Sequence, residues 1–89
     1  MDNNTIYIEK DAEGRFETTA KTGKHTWGIN TENRERAIEC MTNSLRLVEA
    51  LGEDRAYELE QLGRSFDNYK EGEFDKYQSI KTNYKIINK

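Results

Sequence analysis

The 89 residues are 34% hydrophobic and 35% charged, with a formal net charge of −3; a chain this short buries only about 60 to 65% of the surface its unfolded form exposes, which leaves little room for a large catalytic cavity. Nine aromatic residues and regularly spaced Leu, Ile and Val exclude a disordered chain. The single Cys40 excludes an internal disulfide, the lone His25 is a poor inventory for zinc, and no stretch approaches the roughly 20 apolar residues of a membrane span.

Residues 1–89 are expected to form a single domain without a bound cofactor or metal. Met1–Thr5 is polar and carries neither the basic start nor the apolar core of a signal peptide, so a cytoplasmic location is expected.

The first element is Thr5–Glu9, in which Ile6 and Ile8 share a face. The turn Asp11-Ala12-Glu13-Gly14 follows, and then Arg15–Lys21, where Phe16, Thr18 and Ala20 alternate with polar residues. After a second turn at Thr22-Gly23-Lys24, the alternation of Trp27 and Ile29 predicts a third strand, closing an antiparallel meander.

From Asn30-Thr31-Glu32-Asn33 the apolar period changes from two to about 3.6. Ala37, Ile38, Met41, Leu45, Val48 and Leu51 form a helical stripe that Gly52 terminates. Asp54 is placed to cap a second helix carrying Leu59, Leu62, Phe66 and Tyr69, with Glu58, Glu60 and Asp67 outward. Gly63 lies inside that pattern, where glycine costs about 1 kcal/mol relative to alanine. After Gly72, the spacing of Phe74, Tyr77, Ile80, Tyr84 and Ile87 predicts a third helix, whose last turn is weakened by Thr82, Asn83 and the Ile86-Ile87 pair.

The expected fold is α+β: a three-stranded antiparallel β-meander followed by a helical hairpin and a short third helix (βββααα), with the first helix covering the apolar face of the sheet. The expected core is Ile6, Ile8, Phe16, Trp27, Ile29, Ile38, Met41, Leu45, Val48, Leu59, Leu62 and Phe66.

His25 and Cys40 fall on different elements with no carboxylate at a recognisable spacing, which favours structural roles and a protein that is not an enzyme. The six glycines stand singly, so no phosphate-cradling loop is present. Two surfaces are candidates for binding. An acidic face carries Glu58, Glu60, Asp67, Glu71 and Glu73, suited to a basic surface on a larger protein, although such a run also serves as an ordinary solvated face. An aromatic face carries Tyr69, Phe74, Tyr77 and Tyr84 beside Lys81, Lys85 and Lys89, suited to a partner or a second copy, although the same stripe could complete the monomer core.

The stretch Leu62–Tyr77 resembles part of a tetratricopeptide repeat, but without a second copy it reads as an ordinary helix-turn-helix. Gly14–Met41 is similar in outline to the three-stranded DNA-binding domain of tyrosine integrases and to HicB-type antitoxin domains. It lacks the dense Arg and Lys of the first and the Pro-Asp-Leu-Pro-Gly segment of the second. Arg15, Lys21 and Lys24 are too few to hold DNA unaided, and the acidic balance argues against direct nucleic-acid binding.

In small size, absence of proline and acidic helix, the chain resembles phage-encoded accessory proteins that inhibit host defence, such as anti-CRISPR and anti-restriction proteins. That resemblance implies a stoichiometric inhibitor or regulator of a larger protein in the host cytoplasm, with a nucleic-acid-binding host protein as one candidate. Two other readings stay open. One is a nucleotide or nucleic-acid module using Tyr7 with Lys21, Lys24 or Lys81, and the other is a structural subunit.

Overall fold

The computed structural model describes residues 5–63, 65–81 and 84–89; Arg64, Thr82 and Asn83, read above within helical patterns, lie outside them. The chain falls into two compact units, Met1–Asn43 with Asn83–Lys89, and Ser44–Thr82. The architecture is α+β, with the three N-terminal strands in one sheet and three α-helices after them.

In the first unit, β1 (Thr5–Lys10), β2 (Phe16–Lys21), β3 (Thr26–Thr31) and β4 (Lys85–Asn88) form a sheet in the order β3-β2-β1-β4. The meander forms because alternating apolar residues meet turns that fit them. Asp11 closes the first turn: its Oδ1 accepts the backbone N–H groups of Glu13 and Arg15, both at 2.9 Å, and its Oδ2 accepts the Asn30 amide at 3.1 Å. Those bonds, the Asn30 amide foremost, hold the Asp11 carboxyl below its ordinary pKa.

Antiparallel pairing puts Ile8, Thr18 and Ile29 in one row and Ala20 beside Trp27, so the buried side chains share a face. Trp27 is buried with its indole N–H donating to Thr22 Oγ1 at 2.9 Å, as a buried indole requires.

Asn33 starts α1 (Arg34–Leu51) as expected of a capping residue. Its Oδ1 accepts the Arg36 N–H at 3.0 Å, and its carbonyl accepts that of Ala37. Ala37 and Met41 are fully buried in this first unit.

The expected third helix does not run on to Ile87. α3 spans Glu73–Ser79, Ile80 is already extended, and the chain returns as β4, parallel to β1 with Ile6 opposite Ile86 and Tyr7 opposite Ile87. Neighbouring β-branched isoleucines crowd a helix but point to opposite faces of a strand, and β1 still has a free edge with which to pair. The Lys89 N–H extends the pairing to the Ile8 carbonyl at 2.9 Å.

In the second unit, α1 continues from Ser44 through buried Leu45, Leu47 and Ala50 to Gly52, whose φ of 87° suits only glycine. α2 (Glu53–Leu62) buries Ala56 and Leu59; Asp54 lies in its first turn and Gly52 holds the capping position. The helix stops at Gly63, which adopts φ 95° and ψ 9° and donates its N–H to the Leu59 and Glu60 carbonyls. Gly63 is therefore a cap, not an interior glycine.

The expected core shifts as a consequence. Leu62 is 53% exposed and Phe66, in a 3₁₀ turn at Phe66–Asn68, is 68% exposed. In α1 the buried stripe includes Ser44, Leu47 and Ala50, while Ile38 and Val48 are half-buried.

One buried group in the sheet is unsatisfied: Thr18 is fully buried, yet its hydroxyl has no hydrogen-bond partner among the described residues. An unmade bond of this kind costs about 1–3 kcal/mol, and valine has nearly the same shape without the hydroxyl. Thr18→Val is expected to raise the stability measured by urea denaturation by about 1 kcal/mol.

Candidate functional site

Arg55 in the first turn of α2 organises the surface of the second unit. Its Nε donates to Glu73 Oε2 at 2.9 Å and its Nη2 to Glu73 Oε1 at 2.8 Å, a two-pronged guanidinium–carboxylate pair. Nη2 also donates to the Asn68 carbonyl at 2.9 Å, and Nη1 pairs with Glu58. Glu73 Oε1 accepts a further bond from the Lys70 N–H at 2.7 Å.

The Arg55 and Glu73 side chains are mostly buried, at 15% and 16% exposed, so solvent screens the pair weakly. The Arg55 hydrogen bonds, aided by the Lys70 N–H and opposed by desolvation, pull the Glu73 carboxyl down to about 2. The same pairing, with Glu73 first and Glu58 second, raises the pKa of the Arg55 guanidinium.

Arg46 of α1 holds the other end of α3. Its Nε donates to the Ile80 carbonyl at 3.1 Å and its Nη2 to the Tyr77 carbonyl at 3.2 Å, which puts a cation at the negative end of the helix. The same guanidinium lies 4.7 Å from the Tyr77 ring centroid.

Around these two arginines an aromatic cluster centres on Phe74. Phe66 and Tyr69 meet it edge-to-face, with centroids at 5.1 and 5.3 Å, and Tyr77 is tilted at 6.1 Å. Asn68 Nδ2 donates to the Leu62 carbonyl at 3.0 Å and ties the 3₁₀ turn to the end of α2.

The structure distributes the expected site residues unevenly. Glu58 and Glu73 are bound to Arg55, and Glu60 accepts the Ser44 hydroxyl at 3.0 Å, whereas Asp67 and Glu71 are exposed. Tyr69, Phe74 and Tyr77 form one half-buried cluster. Tyr84 belongs to the first unit, just before β4. Phe66 and Leu62, assigned to the core from their spacing, are the large apolar side chains most open to solvent among the described residues. The signal that could have revealed them is Gly63, because a left-handed glycine after Leu62 ends the helix and turns the next residues outward.

Elsewhere, His25 meets Trp27 edge-on at 6.0 Å and Cys40 is half-buried. Tyr7, considered above for base stacking, has the Lys89 ammonium 5.0 Å from its ring centroid. Among the described residues no group of three His, Cys, Asp or Glu is placed to hold a metal ion, and no helix is long and apolar enough to cross a membrane. Set against known protein families, curated proteins and solved structures, the chain matches none of them.

The Glu73 pairing makes a pH-dependent contribution to stability. A carboxyl whose folded pKa is about 2, against an ordinary 4.5, stabilises the fold fully above 4.5 and loses that contribution as the pH falls towards 2. Glu73→Gln is expected to cost about 2 kcal/mol at neutral pH. It should also flatten the acid limb of a stability profile recorded by denaturation between these two pH values.

Proposed function

We propose that this is a non-catalytic binding protein that engages a basic surface of a larger protein as a stoichiometric inhibitor or regulator. The observation that carries the reading is Phe66, 68% exposed with its ring set edge-to-face on Phe74. An exposed aromatic that is already held in place loses little freedom on binding and buries a large apolar area, which is the character of an interface anchor. Leu62 is a second exposed apolar side chain of the same unit, and exposed Asp67 and Glu71 follow Phe66 in the chain.

Charge supports the same reading. Ser44–Thr82 carries nine acidic side chains against six basic ones, while the rest of the chain carries eight of each, so the net negative charge is confined to the unit that bears Phe66. Such a surface attracts a basic partner and repels nucleic acid. A protein that uses a cationic surface to hold nucleic acid is a fitting target, and covering that surface would inhibit it. This matches in kind the phage-encoded anti-defence proteins that the chain resembles.

Phe66→Ala is expected to lower folding stability by no more than about 1 kcal/mol, because the ring is mostly in water and gives up only its edge-to-face contact with Phe74. The test has two stages: capture from the native host's lysate with wild-type protein and with Phe66→Ala, then titration of the purified captured protein. A 1:1 complex weakened at least about tenfold by Phe66→Ala, and made less salt-sensitive by Asp67→Asn with Glu71→Gln, supports the proposal. Equal binding by wild type and Phe66→Ala, or no protein retained by wild type above the variant, contradicts it.

A further inference from the structure

The first unit contains a cleft of about 160 Å³ that the proposed protein interface does not use, lined by Ile8, Lys10, Phe16, Arg34 and Asn88 together with Glu9 and Lys89. Strand alternation sorts these residues. Ile8, Lys10 and Phe16 belong to one face of the sheet, where Lys10 pairs with Phe16 and Ile8 with Asn88. Glu9 alternates to the opposite face, and the Lys89 ammonium is over the Tyr7 ring. The cleft therefore combines an apolar floor, formed chiefly by half-buried Phe16 with Ile8, only 2% exposed, beneath it, with a cationic and amide rim, Lys10, Arg34 and Asn88.

The rim is positioned in advance. Arg34 Nη2 donates to Asn88 Oδ1 at 2.6 Å, which fixes the guanidinium between the start of α1 and the end of β4. Its remaining N–H groups have no acceptor among the described residues. The Lys10 ammonium lies 5.8 Å from the Phe16 ring centroid. Neither cation has a carboxylate partner among the described residues, although the chain as a whole is acidic. A fixed guanidinium fork and an ammonium over an apolar floor form the complement of a planar or tetrahedral anion attached to a small apolar body. For scale, an apolar cavity of about 150 Å³ accommodates one benzene ring.

We infer that this cleft binds a small amphipathic anion, a carboxylate or phosphate ester on a body of about one ring, with the anion on Arg34 and Lys10 and the body on Ile8 and Phe16. Benzoate, phenyl phosphate and the neutral isostere benzyl alcohol, each titrated into the full chain and followed by amide chemical shifts, test it. Saturable shifts centred on Lys10, Phe16, Arg34 and Asn88 are expected with the anions and not with benzyl alcohol. Compared at a pH where both are monoanions, tighter binding of phenyl phosphate favours a phosphate ester as the head group, and tighter binding of benzoate a carboxylate.

Arg34→Gln keeps a donor for Asn88 and loses the charge; it is expected to weaken the anion about tenfold. Should it also disturb the fold, Lys10→Gln decides the matter, since Lys10 makes no side-chain hydrogen bond with any described residue, and a comparable weakening is expected. No saturable shift, an equal response to benzyl alcohol, or unchanged affinity in the folded variants overturns the inference.

Discussion

Arg55 ties together three parts of the second unit that apolar burial leaves loosely joined. Its guanidinium reaches Glu58 on its own helix, the Asn68 carbonyl at the end of the 3₁₀ turn and the Glu73 carboxylate at the start of α3. The fully buried apolar residues of this unit all come from α1 and α2, and neither the 3₁₀ turn nor α3 buries a residue completely. The hydrophobic effect alone therefore leaves Phe66–Ser79 weakly fixed. Two arginines and an edge-to-face aromatic cluster supply what apolar burial does not, Arg55 at one end of α3 and Arg46 at the other. A partly buried ion pair is sensitive to the loss of either member, because the remaining charge is left without its counterpart.

The same arrangement decides which parts of the surface are open to a partner. Acidic side chains that a linear reading treats as one face are divided by geometry into those that hold the fold together and those that face solvent. Glu60 and Glu73 are half-buried with intramolecular donors and Glu58, though exposed, pairs with Arg55, whereas Asp67 and Glu71 are exposed in the same segment as Phe66. The proposed binding surface is consequently smaller and more apolar than the acidic run suggests. Fold maintenance and the proposed recognition meet at one place, since the 3₁₀ turn that Arg55 secures is the one that carries Phe66.

Much of the fold was legible because its signals are local. Ile6 and Ile8, then Phe16, Thr18 and Ala20, then Trp27 and Ile29 alternate at the strand period, and Asn33 with Ala37, Met41 and Leu45 marks the change to helix. The C-terminal segment was misread because its partner is distant in sequence: Tyr84 and Ile87 happen to continue the helical spacing of Phe74 and Tyr77. Only pairing with β1, at the far end of the chain, makes Lys85–Asn88 a strand. The end of α2 turned on a single residue, for Leu62 and Phe66 keep the apolar period while Gly63 breaks the backbone between them. At the candidate site, spacing placed Phe74 and Tyr77 on one helical face, but Tyr69, read as part of α2, reaches them only because α2 ends at Leu62. The roles of Arg55 and Arg46 were not legible, because a guanidinium's acceptors are set by tertiary geometry and leave no periodic trace.

Amide hydrogen exchange in Arg55→Gln, compared with wild type, tests most directly whether the guanidinium holds this segment. The account predicts that the amides of Asn68, Tyr69 and Glu73, which bond to the carbonyls of Ser65, Phe66 and Lys70, lose protection selectively, while those of the paired strands β1 and β2 keep theirs. Unchanged protection at these three amides, or a loss spread equally over the sheet, would contradict it.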